Sequence, residues 1–258
     1  MDRKWLTSEI LGWRVNAQGF TLPSENLWKR AYEIWNHAEQ VLSRPTSEFL
    51  RVDVIATLRR AIDNRVRLLN SLYSFRSIPI KEKPSEILSM LEFAGVIRPL
   101  MLQKLIDIRN AVEHEDASPP NIEACQVFLE FTWYFLRSTD RLAQQVLRDF
   151  SLRPLDEDED YYWMEVNSGP DNDWLPKLRG WLPASMLSDE PKSSWLVLQV
   201  EKIETRADAA ERLKDSPSSI LEGDSGRGKN PDDVYLFAEV RGPSDALISL
   251  LKMYFEAI

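Results

Sequence analysis

A long segment in the first half of the chain has the pattern of a helix. Residues 47–75 contain neither Gly nor Pro, the two residues that most disfavour a helix interior. Their apolar side chains recur at the spacing of one helix face. The positions on this face are Leu50, Val54, Leu58, Ile62, Leu69 and Leu72. A helix of this length needs neighbours that cover its apolar face, so the pattern indicates a helical bundle.

Other segments predict those neighbours. Helical spacing recurs over residues 24–43, 86–93, about 98–117 and about 121–152. Ser24 is a favourable N-cap for the first of them, and Pro45 lies just beyond its end. We therefore expect an N-terminal all-α helical bundle over residues 1–152, with an N-terminal extension over 1–22.

The pattern changes after an acidic stretch. Residues 153–160 combine a Pro with a run of like charges, which is typical of a solvated linker. β-branched and aromatic runs then predict strands over 161–166, 195–200 and 234–240, and helical spacing returns over 206–214 and 244–257. Residues 161–258 are thus predicted to form a small C-terminal α/β or α+β module, whose role the sequence leaves open.

Charge is divided unevenly between the two parts. The chain carries a formal net charge of −9. Residues 1–152 hold 20 Lys and Arg against 19 Asp and Glu, whereas residues 153–258 hold 12 against 22. A strongly acidic surface repels nucleic acid, so we expect the two parts to have different functions.

Cysteine content and hydropathy exclude several classes of protein. Cys125 is the only cysteine, which rules out an intrachain disulfide and a cysteine-based structural zinc site. No apolar run approaches the roughly 20 residues that span a membrane, and the apolar residues near Met1 are interleaved with charges. We expect a soluble, cytoplasmic protein that needs no metal or other cofactor, with a buried, unreactive Cys125 thiol.

One run contains residue types that suit phosphate chemistry. It is Asp107-Ile108-Arg109-Asn110-Ala111-Val112-Glu113-His114. The guanidinium of Arg109 is permanently charged and can fork onto phosphate oxygens. The imidazole of His114 titrates near neutrality and can act as general base or general acid. In a helix, these two groups would lie on adjoining turns.

Helical geometry places this run relative to its own apolar stripe. At about 100° per residue, Met101, Leu105 and Ile108 share one face. Asn110 and His114 project from the opposite side. A polar side of an amphipathic helix is ordinarily a solvated face, and that interpretation stays open beside a catalytic one.

An Arg followed by Asn, with a His four to six residues after the Arg, resembles the signature of the HEPN superfamily (higher eukaryotes and prokaryotes nucleotide-binding). The family places this signature at the C-terminal end of a helix in an all-helical bundle and follows it with another long helix. Here Ser118-Pro119-Pro120 ends the predicted helix, and a new apolar periodicity starts near Asn121. The resemblance covers the predicted bundle only. Many members are ribonucleases of toxin and antiviral systems.

The resemblance implies a homodimer in which two copies of Arg109, Asn110 and His114 form one composite site on RNA. The implied reaction is attack of the RNA 2′-hydroxyl on the adjacent phosphorus, which leaves a 2′,3′-cyclic phosphate and requires no metal. His114 would move protons, Arg109 would stabilise charge on the phosphate oxygens, and Asn110 would orient the imidazole or the phosphate. An antitoxin or regulatory protein is a further implied partner.

A second hypothesis keeps the fold without catalysis, because a fold alone does not fix function. The bundle would then serve to dimerise, and the C-terminal module would bind a small ligand or a protein. Glu113 and Glu115 flank His114 and could either stabilise an imidazolium or repel RNA.

Arg65 is a further candidate. It lies at almost the same helical angle as Ile62 and Leu69, and a buried, unpaired guanidinium would cost on the order of several kcal/mol. One interpretation is an ion pair with an acidic residue of a neighbouring helix, or an extended side chain whose charge reaches solvent. The other is a second, substrate-binding cation in the phosphate site.

The glycine-rich run at residues 223–230 nearly matches the phosphate-binding loop GxxxxGK[ST]. Asn230 replaces the hydroxyl residue that would hold magnesium. A working loop of this kind opens a helix that receives the phosphates, whereas residues 231–233 lead into a predicted strand. We therefore interpret the run as a glycine-rich connection.

Overall fold

The computed structural model describes residues 2–45, 47–98, 107, 120–156, 161–213 and 228–258. The chain divides into two compact units. Residues 1–20, 77–82 and 147–258 form one, here called the sheet unit, and residues 21–76 and 83–146 form the other, the helical unit. The division does not follow chain order, because the sheet unit takes segments from both halves of the chain.

In its described residues, the sheet unit has one sheet of eight antiparallel strands. They are β1 (Arg3–Leu6), β2 (Arg14–Thr21), β3 (Val146–Arg153), β4 (Trp163–Asn167), β5 (Lys177–Leu182), β6 (Leu187–Ser188), β7 (Leu196–Thr205) and β8 (Val234–Gly242). Their order across the sheet is β2-β3-β4-β5-β8-β7-β1-β6. The early strand β1 thus lies between two strands from the second half of the chain.

The described residues also form seven α-helices. Those of the helical unit are α1 (Glu25–Leu42), α2 (Glu48–Tyr73), α3 (Ile87–Phe93), α4 (Ile122–Ser138) and α5 (Asp140–Gln144), and those of the sheet unit are α6 (Arg206–Leu213) and α7 (Ser244–Ala257). Helices α1, α2 and α4 pack against one another. The side chains of Ser47 and Asn121 cap α2 and α4 by accepting hydrogen bonds from backbone N–H groups.

The two faces of the sheet differ in burial. Side chains alternate along β8, so Leu236 and Ala238 are fully buried, whereas Tyr235 and Phe237 are partly exposed. Helix α7 packs against β8, and its buried Tyr254 donates a hydrogen bond to the Leu147 carbonyl at 2.6 Å. An antiparallel sheet with one core face and one open face is the result.

The predicted N-terminal all-α helical bundle followed by a separate C-terminal module is wrong. Strands β1 and β2 lie in the predicted N-terminal extension, and β3 occupies the end of the helix predicted to reach Leu152. Val146 and Phe150 are four residues apart, a spacing that suits either a helix face or a strand. Pairing decides between them, because Phe150 lies opposite Val166 on β4.

Several individual elements are confirmed. Helix α1 begins directly after Ser24, α2 begins after Ser47, and α7 has the predicted bounds. Predicted strands are also found as β4, β7 and β8. Of the predicted acidic linker, Arg153 is the last residue of β3, and residues 157–160 lie outside the described residues.

In the described parts of the chain, none of the helices combines the length and the apolar character needed to cross a membrane.

Candidate functional site

The residues predicted to be catalytic, Arg109, Asn110 and His114, lie outside the described residues. Asp107 is described and is helical. The nearest described helices are α3, which ends at Phe93, and α4, which begins at Ile122. The roles of the three residues therefore stay predictions from the sequence.

Arg65, the predicted substrate-binding cation, is enclosed within the helical unit. Its side chain is 0 % exposed and forms a salt bridge to Asp140 at 3.1 Å. The guanidinium also donates to the Leu136 carbonyl and to the Thr139 hydroxyl, both at 3.1 Å. These contacts match the ion-pair interpretation, since Asp140 belongs to the neighbouring helix α5. A guanidinium without access to solvent is not placed to receive a phosphate from outside.

Asp140 is the centre of a polar network in the helical unit. Besides Arg65 it accepts a hydrogen bond from the Tyr32 hydroxyl at 2.8 Å and pairs with Arg137 at 3.1 Å. Burial, followed by the hydrogen bond to Asp140, raises the pKa of Tyr32 to about 12. Desolvation also lowers the pKa of Arg65. The network stabilises charges inside the unit.

The open sheet face contains a groove of a size that suits a small ligand. It is lined by Glu165, Asn167, Lys177, Arg179, Lys202, Tyr235 and Phe237 and has a volume of about 420 Å³. All of these residues belong to β4, β5, β7 and β8. We call this site the sheet-face groove.

Two aromatic rings of β8 form the middle of the groove, with cations on both sides. Arg179 on β5 and Lys202 on β7 both lie opposite Phe237 in the strand register. The ammonium of Lys177 lies 6.0 Å from the centre of the Phe237 ring, and that of Lys202 lies 5.9 Å from the centre of the Tyr235 ring. These distances are within the range of cation–π attraction.

Arg179 is tied to the aromatic row by a hydrogen bond. Its Nε donates to the Tyr235 hydroxyl at 2.5 Å. This bond is the main reason why the pKa of Arg179 is raised. The hydrogen bond thus fixes the guanidinium beside the Tyr235 ring.

A β-bulge brings Lys202 into the groove. Val200 lies opposite Ala238, but the register then shifts, so that Lys202 lies opposite Phe237. Without the shift, strict alternation would place Glu201 opposite Phe237 and turn Lys202 toward the other face. The extra residue, Glu201, forms a 3.6 Å ion pair with Lys177.

Carboxylates accompany the cations of the groove. Lys202 pairs with Glu204 at 3.1 Å, and Glu165 lies opposite Arg179 in the register of β4 and β5. The side chain of Lys202 is 51 % exposed, so this pair is weak and open to competition by another anion. Each of the three cations in the lining thus has a carboxylate beside it, and an anionic ligand would compete with these carboxylates for the cations.

The glycine-rich connection ends in a closed turn. Asp233, which is 1 % exposed, accepts hydrogen bonds from the backbone N–H groups of Lys229 and Asn230 and from the Tyr162 hydroxyl. Strand β8 follows at Val234, as predicted. The backbone amides of Lys229 and Asn230 are thus occupied by the chain's own carboxylate and are not available to a phosphate. Residues 223–227 lie outside the described residues.

The groove residues were not singled out from the sequence, although a signal existed. Strand β5 is not among the predicted strands, although Lys177, Arg179 and Trp181 alternate with Leu178 and Leu182 in the two-residue period of a half-buried strand. Lys202 could not have been placed in this way, because its side depends on the bulge.

Two further points concern the thiol of Cys125 and groups of side chains that could bind a metal. Cys125 is buried, as predicted, and its burial raises the pKa of the thiol. Within the described ranges, no group of three or more His, Cys, Asp and Glu side chains is placed to hold a metal ion.

The chain was compared with protein-family models, with curated proteins and with solved structures. None of the three comparisons found a match.

Proposed function

We propose that this protein is a metal-independent endoribonuclease whose reacting groups are Arg109, Asn110 and His114. The observation that carries the proposal is the sequence of residues 107–114, where a phosphate-binding cation and a proton-transfer group are separated by about one helical turn. The resemblance of this run to the HEPN signature adds the expectation of a homodimeric composite site. It also suggests a role in a toxin or antiviral system, with an antitoxin or regulatory protein as partner and a cytoplasmic location.

The reaction needs only groups of the chain and of RNA. The 2′-hydroxyl loses its proton to an imidazole as its oxygen bonds to the adjacent phosphorus. The bond from phosphorus to the 5′-oxygen breaks, and that oxygen takes up a proton. The products are a 2′,3′-cyclic phosphate and a 5′-hydroxyl. In a dimer, one His114 can accept the first proton while the other donates the second, and Arg109 stabilises the charge on the phosphate oxygens.

The chain contains a matched control for the test. His37 is the other of its two histidines and is exposed on α1. Purified wild-type protein, His114→Ala, Arg109→Ala and His37→Ala would be incubated with structured and single-stranded RNAs, with and without EDTA. We expect His114→Ala to slow cleavage by about 10² to 10⁴, His37→Ala to have no effect, and a cyclic phosphate at the new ends.

Cleavage that persists in His114→Ala, or that is lost with EDTA, would contradict this mechanism. Sedimentation of the wild type tests the composite site separately, because a monomer at micromolar concentration would leave the site incomplete. Toxicity of the wild type on expression in cells, absent in His114→Ala, would extend the result to function in the cell.

A second candidate function is a non-catalytic module, in which the helical unit dimerises the chain and the sheet unit binds a small ligand. The sheet-face groove favours this candidate, because it gathers three cations and two aromatic rings on an otherwise acidic part of the chain. Wild-type protein that dimerises and binds a ligand, yet cleaves no RNA, would select it.

A further inference from the structure

We propose that the sheet-face groove binds a nucleoside 5′-monophosphate, with the base against Phe237 and Tyr235 and the phosphate on Lys202 and Arg179. The groove is formed by the sheet unit alone. The inference therefore goes beyond the ribonuclease proposal and does not depend on Arg109 or His114.

The aromatic row supplies the surface for the base. Phe237 and Tyr235 are partly exposed on adjacent outward positions of β8. Every base has a π-face that can stack on such rings. Substitution of the stacking ring weakens binding by enough to be measured. The groove also offers polar groups beside the rings. Asn167 has both a donor and an acceptor, and Glu165 can accept from amino groups of a base.

The cations are placed for a phosphate at the edge of the stacked base. Arg179 and Lys202 belong to the strands on either side of β8, and both side chains reach Tyr235, Arg179 through its hydrogen bond to the hydroxyl and Lys202 at 5.9 Å from the ring centre. The bond to Tyr235 takes up Nε of Arg179, and a guanidinium has two further nitrogens that can fork onto phosphate oxygens. A phosphate would also compete with Glu204 for the exposed ammonium of Lys202.

Size and charge favour one nucleotide over a nucleic-acid strand. A volume of about 420 Å³ lies in the range of small-ligand sites. A nucleic-acid strand would have to continue past Glu201 and Glu204, in a part of the protein with 22 acidic against 12 basic residues. Its additional phosphates would meet repulsion there, whereas a mononucleotide places its charge only where the cations are.

The test is titration calorimetry of the full chain with AMP, GMP, CMP and UMP. Adenosine and inorganic phosphate probe the two halves of the ligand, and a single-stranded RNA oligonucleotide tests whether a longer nucleic acid binds instead. Phe237→Leu removes the ring but keeps an apolar side chain, and Lys202→Gln removes one charge. Lys252→Gln, at an exposed position of α7, is the matched charge control.

We expect at least one nucleotide to bind at least tenfold more tightly than adenosine or phosphate. Lys202→Gln should weaken it by about tenfold, the size of one charged hydrogen bond. Phe237→Leu should weaken it at least about fivefold, and Lys252→Gln should leave it unchanged. The proposal is overturned if no nucleotide binds at millimolar concentration, or if neither groove variant weakens binding. Tighter groove-dependent binding of the oligonucleotide than of any mononucleotide would overturn the choice of ligand.

Discussion

A fully buried guanidinium is stable only when a partner of opposite charge lies beside it, and Asp140 supplies that charge for Arg65. Asp140→Asn would leave that charge unpaired inside the helical unit. We expect a loss of about 3 to 5 kcal/mol in the free energy of unfolding, as for other buried pairs that lose one partner. Urea unfolding followed by circular dichroism measures it.

A partly exposed pair gives the control for this prediction. Arg59 and Asp63 on α2 lie 2.9 Å apart with side chains 27 % and 41 % exposed. Asp63→Asn should cost below about 1 kcal/mol. Equal effects of Asp140→Asn and Asp63→Asn would mean that burial does not determine the contribution of Asp140.

Tyr32 predicts how stability depends on alkaline pH. The pKa of Tyr32 is about 12 in the folded chain and about 10 in an unfolded one. The folded state favours the neutral hydroxyl, so the contribution of Tyr32 to stability is complete below pH 10. It is lost as the pH rises from 10 to 12, because only the unfolded chain releases this proton. Tyr32→Phe should therefore show a smaller decline in unfolding free energy across this interval than the wild type.

Tyr134→Phe serves as the comparison for Tyr32→Phe, because Tyr134 is an exposed residue of α4. It should leave the alkaline profile unchanged. If Tyr32→Phe and the wild type lose stability in parallel between pH 10 and 12, the hydroxyl of Tyr32 is not held neutral by the fold.

Some of these residue contacts could be predicted from the sequence. The helical angle of Arg65 predicts that it points into the apolar seam, and the need for a partner follows from its charge. The identity of that partner does not follow, because Asp140 is 75 positions away and meets Arg65 only after α2 and α5 have packed. The positions of Arg109, Asn110 and His114 relative to one another remain predictions.

At the level of elements, Gly180 determines how closely β4 and β5 approach. A Cβ atom at this position would lie 2.0 Å from the Trp163 carbonyl oxygen and 2.9 Å from Cα of Met164. Both atoms belong to the backbone of β4, which can give way only if the strands separate. We expect Gly180→Ala to reduce the unfolding free energy by about 3 kcal/mol, at the upper end for overpacked substitutions.

Gly12→Ala is the control for that substitution, since a Cβ atom there would meet nothing within 4 Å. It should change stability by less than about 0.5 kcal/mol. Thermal unfolding of both variants under identical conditions makes the comparison. Similar Tm values for the two would show that the sheet relaxes around position 180.

Long periodic elements were the ones that local sequence could predict. Helices α1, α2 and α7 are specified by caps and by apolar spacing within their own residues. The segment of β3 predicts a helix end because Val146 and Phe150 are spaced for either structure, and only pairing with β4 makes it a strand. The bulge that turns Lys202 outward depends on pairing between β7 and β8, so it has no local signal.

At the level of the whole molecule, the chain passes between the two units at residues 20/21, 76/77, 82/83 and 146/147. A chain truncated after Leu152 would keep β1 and β3 but lose their partners β4, β6 and β7. We expect this fragment to aggregate and to bind the dye ANS, because unpaired apolar strands are exposed. Sedimentation and dye fluorescence, with the full chain as control, measure both effects. A soluble fragment with a cooperative thermal transition would contradict the expectation.

This organisation could not be predicted from the order of sequence patterns. A change from helical to strand spacing near residue 153 suggests two consecutive domains. The early strand β1 is short, and it is specified by pairing with β7 rather than by its own four residues. Contacts of such sequence separation are invisible to any local period.

The position of β1 has a consequence for biosynthesis. Its residues leave the ribosome well before those of β7 and β6, between which it must insert. At 5 to 20 residues per second, the wait is roughly 10 to 40 s. Trp5 and Leu6 have no sheet partner during that time. Such a nascent segment is a natural client for a chaperone that holds extended apolar peptides until translation has passed residue 200.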